Sequence, residues 1–206
     1  LRQKETKATF FVVGELLEYK PELLDLILEN DHEIGFHTMK HNRIDSSVSK
    51  EKFDDEIKKF KKLTDDKSKG FRAPSFSLNA NSSWLIDVLE ENEYIYDSSV
   101  VPVKTSLYGI PDAETNPYKI TSQNLKNNSD NGKILEFPLL ITRFLGKKIP
   151  AAGGFYLRTL PSRVIESAIK SYEKKEIPGV FYIHSWELTP EFMPKITLPK
   201  KDHFVP

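Results

Sequence analysis

Glu33-Ile34-Gly35-Phe36-His37-Thr38-Met39-Lys40-His41 is the stretch from which the rest of the chain can be read. Its first four residues are strand-like, and the remainder carries two imidazoles four positions apart. Residues at that separation project from one face of a helical turn. The spacing therefore predicts a turn of helix on which two neutral ring nitrogens converge on one divalent metal. The preceding run predicts that the pair stands at the end of a strand, where loop sites form. Two histidines at this spacing can also be core or surface residues that bind nothing, so the surrounding chain decides between the readings.

Working upstream, Ala8-Thr9-Phe10-Phe11-Val12-Val13 is short, apolar and β-favouring, and Gly14 closes it, which predicts a buried strand. Pro21 suits the first turn of a helix whose apolar side is Leu23, Leu24, Ile27 and Leu28. Downstream, Ser49 can cap a second helix. Val48 and Phe53 stand at the positions of a hydrophobic staple, and Phe53, Ile57 and Phe60 mark the buried face. Gly70 to Ala73 is a short strand candidate. Trp84, Leu85, Val88 and Leu89 mark a third helix, and Tyr94 to Asp97 another strand running into Ser98 and Ser99. Residues 104–132 are polar, rich in Asn, Ser, Thr and Pro, and predict a long irregular insertion. Strand character returns from Lys133 to Leu140. Pro161 opens a fourth helix, with Val164, Ile165, Ala168, Ile169 and Tyr172 on one side, and Gly179 to Ile183 is a last strand ending at His184. Strands alternating with helices at this spacing predict a mostly parallel α/β fold in a single domain over residues 1–206.

The 206 residues suffice for one sizeable core. Lysine plus arginine and aspartate plus glutamate both number 30, so no net basic face is offered to nucleic acid. With no cysteine there is neither a disulfide scaffold nor a thiolate metal site. No apolar run approaches the roughly 20 residues that span a bilayer. The N-terminal Leu1 to Lys7 lacks the apolar region of a signal peptide and does not begin with Met, so Leu1 is expected to be internal to a longer protein.

Chemistry-bearing residues fall at the ends of successive strand candidates: His37 and His41, then Arg72-Ala73-Pro74-Ser75, Asp97-Ser98-Ser99, Glu136, and His184-Ser185-Trp186-Glu187. In a barrel of parallel strands all carboxyl ends open on one face, where active sites sit.

These blocks carry a resemblance. Lys7-Ala8-Thr9-Phe10-Phe11-Val12, His32-Glu33-Ile34-Gly35-Phe36-His37 with His41, Gly70-Phe71-Arg72-Ala73-Pro74, Tyr96-Asp97-Ser98-Ser99 and Tyr182-Ile183-His184 resemble, in order and spacing, the polysaccharide deacetylases of the NodB-homology type, carbohydrate esterase family 4. Ala152-Gly153-Gly154-Phe155-Tyr156-Leu157-Arg158 and His184-Ser185-Trp186-Glu187 resemble the branch linked to exopolysaccharide gene clusters.

The resemblance implies a distorted (β/α) barrel, here lacking its first strand and helix, that removes acetyl groups from an N-acetylated carbohydrate. It implies one divalent metal, usually zinc, held by His37 and His41, with His184 as general acid. Arg72 would hold the catalytic base, and Asp97 would support the acid and base network, although that motif is poorly kept. Phe76 and Trp186 are expected to stack on a sugar face, with Pro74 and Glu187 beside the substrate. The family's pair of aspartates, one the base and one the third metal ligand, would lie upstream of Leu1, and no such pair precedes Thr9. The alternative is a non-catalytic carbohydrate-binding relative without that pair.

Simpler readings stand beside these. Arg72 could be a surface cation, Asp97 a turn residue bonded to Ser99, and Glu136 and Glu187 surface acids. His32 reads as structural and His203 as part of an exposed charged tail. Asp54, Asp55, Asp65 and Asp66 read as the solvated side of a helix and its end.

Overall fold

The computed structural model describes residues 1, 4–189 and 191. His203 lies outside them. The chain forms two compact units, Leu1–Pro138 and Leu139–Pro206.

The first unit is an α/β layer. Its elements are β1 (Thr9–Val12), α1 (Gly14–Tyr19), α2 (Glu22–Leu28), β2 (Glu33–Phe36), α3 (Lys50–Leu63), β3 (Gly70–Phe71), α4 (Leu85–Glu91), β4 (Tyr96–Asp97), β5 (Tyr118–Ile120) and β6 (Ile134–Glu136). Six strands form one sheet in the order β1-β2-β3-β4-β6-β5. The first five are parallel, and β5 runs antiparallel to β6 at the edge. The α/β expectation holds. The sheet is open rather than closed, with β1 and β5 as its two edges.

The register aligns the ends of the central strands. Phe36 pairs with Phe71, Phe71 with Asp97, and Asp97 with Glu136, so the residues that follow each strand emerge along one line. Behind them α3 forms where its sequence specifies. Ser49 caps it, its hydroxyl accepting from the Lys52 amide at 3.2 Å, and Phe53, Ile57 and Phe60 are fully buried. Their rings meet the strand residues, with centroids 4.6 Å apart for Phe36–Phe60 and 5.3 Å for Phe53–Phe71. Gly70 is required where it stands. A Cβ there would lie 2.0 Å from the Tyr96 ring of the neighbouring strand.

Two expectations are corrected here. The helix expected from Pro21 is α2, with Pro21 immediately before it, and it is preceded by a short helix, α1, that was not expected. The polar stretch 104–132 is not wholly irregular. Tyr118-Lys119-Ile120 alternates buried, exposed, buried and adds an edge strand, and Tyr118 donates its hydroxyl to the Leu125 carbonyl at 2.7 Å.

The second unit contains the hairpin β7 (Ile141–Phe144) and β8 (Lys147–Pro150), then α5 (Gly154–Thr159), α6 (Ser162–Glu173) and α7 (Ser185–Leu188). In α6, Ile165, Ala168 and Tyr172 are buried, and the Ile141 amide donates to the Tyr172 hydroxyl at 3.3 Å. The strand expected over 179–183 is reduced to one parallel bridge, Leu139 to Val180.

Candidate functional site

In the first unit the candidate site begins where β2 ends. The His37 amide continues the ladder to the Val12 carbonyl at 3.1 Å, and the His41 ring then stands beside the His37 ring, with centroids 5.0 Å apart at 64°. The pair meets as the spacing requires, but not on a helix. Residues 38–40 form a turn, with Thr38 and His41 both in the left-handed region at φ 59° and 58°. The turn is pinned from outside. The Gly14 and Glu15 amides at the start of α1 donate to the Thr38 and Met39 carbonyls, and the Met39 amide donates to Glu56.

His37 Nδ1 lies 2.6 Å from the carbonyl oxygen of Arg72. A carbonyl can only accept, so Nδ1 carries the proton, and in the neutral ring the lone pair sits on Nε2. Orientation of a ring through its far nitrogen is how metal-binding histidines are usually held. The two imidazoles therefore suit a divalent cation as far as they go. Among the described residues no group of three or more His, Asp or Glu could hold a metal. Catalytic zinc sites use three protein ligands. The two rings supply only part of such a set among the described residues.

Arg72 is not a surface cation. It is buried, and its Nε donates to the Ser98 carbonyl at 2.8 Å while a terminal nitrogen donates to the Ser98 hydroxyl at 2.6 Å. Its guanidinium lies 4.3 Å from the centre of the Phe11 ring and 5.7 Å from that of Phe76. Ser98 passes the link on, donating to the Phe137 carbonyl at 2.8 Å. Asp97, expected in the acid and base network, is fully buried and bonded to Ser99, whose hydroxyl and amide reach its two oxygens at 2.6 and 3.2 Å. The same Ser99 hydroxyl accepts from the Ala73 amide at 2.8 Å. Asp97 thus fixes the backbone beside Arg72 and offers no surface to a substrate.

Glu136 is not a surface acid either. It has 0% exposure, and one oxygen accepts from the Val100 amide at 2.9 Å. Burial, then the neighbouring Asp97, pushes its carboxyl well above the usual range, and burial also raises Asp97. The signal missed in the sequence was a single acid inside the apolar run Ile134-Leu135-Glu136-Phe137. Pro74 and Phe76 are likewise buried. Phe76 packs on Tyr108 with centroids 5.5 Å apart, so its ring supports Arg72 from inside and leaves little face for a sugar.

In the second unit, His184 opens α7. Its amide and its Nδ1 both meet one oxygen of Glu187, at 2.8 and 3.1 Å, and the other Glu187 oxygen pairs with Arg158. Trp186 stacks on the His184 ring at 4.3 Å and 10°, and Tyr182 meets it edge-on at 5.4 Å. Glu187, expected beside substrate, therefore uses both oxygens within the chain, and its side chain is only 8% exposed. A carboxylate at Nδ1 leaves Nε2 as the atom through which His184 can exchange a proton.

Residues 1–94, which carry the imidazole pair and Arg72, match the polysaccharide deacetylase family. Those residues, just under half of the chain, form a polysaccharide deacetylase domain. Residues 98–205, just over half of the chain, match a second family, described as a domain of unknown function (DUF3473), and the chain belongs to it. A peptidoglycan-N-acetylglucosamine deacetylase from Bacillus cereus is 41% identical over 63 residues, which is 31% of this chain and 29% of that protein. A polysaccharide deacetylase structure from Mycobacterium smegmatis superimposes with a TM-score of 0.61 at 20% identity, over 89% of this chain and 60% of that one. The allantoinase Puue superimposes with a TM-score of 0.51 at 16% identity, over 82% of this chain and 53% of that one. At these identities the two structures speak for a shared fold. The chain spans less than a third of the curated relative and about three fifths of the Mycobacterium smegmatis chain.

Proposed function

We propose that this chain is part of a deacetylase that hydrolyses the acetamide of an N-acetylated sugar, in an exopolysaccharide-type polymer or its precursor. The observation that carries the reading is the imidazole pair at the end of β2, its first ring fixed by the Arg72 carbonyl. His37 and His41 would supply two ligands to a divalent cation, zinc in the first instance. Such an ion, when bound, polarises a carbonyl and makes water a nucleophile near neutral pH.

The chain's own groups do the remaining work. Arg72, with Asp97 behind it, holds the strand ends in register around the pair. His184, in the second unit, would serve as the general acid through Nε2, with Glu187 holding its ring through Nδ1. Trp186 remains the candidate for contact with a sugar ring through the face turned away from His184.

The test is acetate release from N-acetylglucosamine oligomers by the full-length protein. Loss of release in His37→Ala and in His184→Ala supports the reading, and unchanged release in His37→Ala overturns the metal assignment. A second reading, a non-catalytic carbohydrate-binding protein, draws on the incomplete ligand set among the described residues. It requires oligomer binding without acetate release in the same experiment.

A further inference from the structure

The β7–β8 hairpin turns through two residues, Leu145 and Gly146, at φ 49° and 79°. Positive φ at both positions matches the twist of a hairpin and selects Asn-Gly or Asp-Gly. Leucine has no short polar side chain to ease the left-handed conformation. Among the described residues only two apolar side chains take positive φ, Phe76 and Leu145. Phe76 offsets its strain by burial against Tyr108 and Arg72. Leu145 is 87% exposed. An isolated exposed leucine is ordinary. One that also holds a strained backbone is not, because asparagine at the same position would remove both costs.

The flanks give the second half of the argument. Arg143, Lys147 and Lys148 are exposed, with Arg143 opposite Lys148 and Phe144 opposite Lys147 across the ladder. No acid occurs between Ile141 and Pro150. The tip is an aliphatic point flanked by the exposed cations Arg143 and Lys147.

We propose that this hairpin docks on an anionic lipid surface, with Leu145 at the boundary between headgroups and acyl chains and Arg143 and Lys147 at the phosphates. Cations near such a surface each add to binding, and a buried aliphatic side chain adds an apolar increment that an aqueous partner does not offer. A second copy of the chain would bring the same cations against one another. A soluble anionic polymer would give the leucine nothing to enter.

The test is co-sedimentation of the protein with vesicles of phosphatidylglycerol and phosphatidylcholine, against phosphatidylcholine alone, across a salt series. Association is expected only with the anionic vesicles. Leu145→Asn should weaken it about tenfold while raising the thermal midpoint, and Lys147→Ser should weaken it and flatten its salt dependence. Three results would overturn the proposal: equal vesicle binding by Leu145→Asn, a lowered midpoint in that variant, or binding to heparin by both proteins without vesicle association.

Discussion

Asp97 and Glu136 stand side by side in register on β4 and β6, both wholly removed from solvent. One Glu136 oxygen accepts from the Val100 amide, while the other is buried against the Asp97 carboxyl. As a carboxylate that oxygen would be costly. As a protonated group it can donate to Asp97, so the pair is best satisfied with one shared proton.

Folded Glu136 therefore holds its proton above pH 4.5, the ordinary value for glutamate, where the unfolded chain has released it. The folded state then binds more protons than the unfolded one. This contribution is complete below that pH and is lost as pH rises towards the folded value, with a slope of at most about 1.4 kcal/mol per pH unit. Glu136→Gln removes the titration and keeps a donor to Asp97. Urea unfolding at a series of pH values is expected to show the variant gaining on the wild type as pH rises. Parallel curves would refute the shared proton.

Arg72 joins three strand ends through a fork that lysine cannot reproduce. Its Nε and a terminal nitrogen both reach Ser98, with the plane resting on Phe11. Arg72→Lys keeps the charge but loses one donor and the stacking. It should cost about 2 kcal/mol of stability in urea unfolding. A change below the error of that measurement would mean the fork is not what holds the strand ends.

The sequence made the scaffold of the first unit readable for a physical reason. Its strands are short apolar runs that each stop at a polar residue, and α3 announces itself through a serine cap and three phenylalanine or isoleucine positions on one face. Those signals are local. The misreadings were of residues whose meaning is set by neighbours distant in the chain. Glu136 is buried by β4 and β5, and Phe76 by Tyr108. Glu187 is the exception, since it closes on His184 three residues away and was legible as a capping partner. The imidazole pair was read correctly as a pair and wrongly as a helix, because left-handed residues at Thr38 and His41 are not visible in spacing.

Phe36 has its ring among Phe53, Phe60 and Phe71 and is fully buried, so its size is matched on three sides. Phe36→Ala should cost about 3–5 kcal/mol through lost transfer energy and a cavity that stiff aromatic neighbours cannot close. It should also loosen the following His37. Differential scanning calorimetry measures the first effect. A loss under 1 kcal/mol would show that this cluster is not the core of the unit.

Two imidazoles give a cation two of the ligands it needs. Isothermal titration of the 206-residue chain with zinc should therefore show weak binding, far short of the 10 kcal/mol or so typical of a closed site. His41→Ala should remove what binding there is. Tight one-to-one binding would mean that a third ligand completes the set.

Glu187 offers the sharpest separation of roles, because two readings of it predict opposite kinetics. If it touches substrate, its loss raises KM. If it holds His184, its loss leaves KM near the wild-type value and lowers kcat. The geometry favours the second: one oxygen faces His184 Nδ1 and the other Arg158, with 8% of the side chain exposed. With His184 as the proposed general acid, removing the group that orients it should lower kcat about 10- to 100-fold in Glu187→Ala. Glu187→Gln, which keeps an acceptor for the Nδ1 proton, should fall between. Nitrogen-15 spectra of the imidazole supply a readout independent of activity. The wild type should carry its proton on Nδ1 when neutral, and Glu187→Ala should populate the other tautomer. A variant with raised KM, unchanged kcat and an unchanged tautomer would return Glu187 to the substrate.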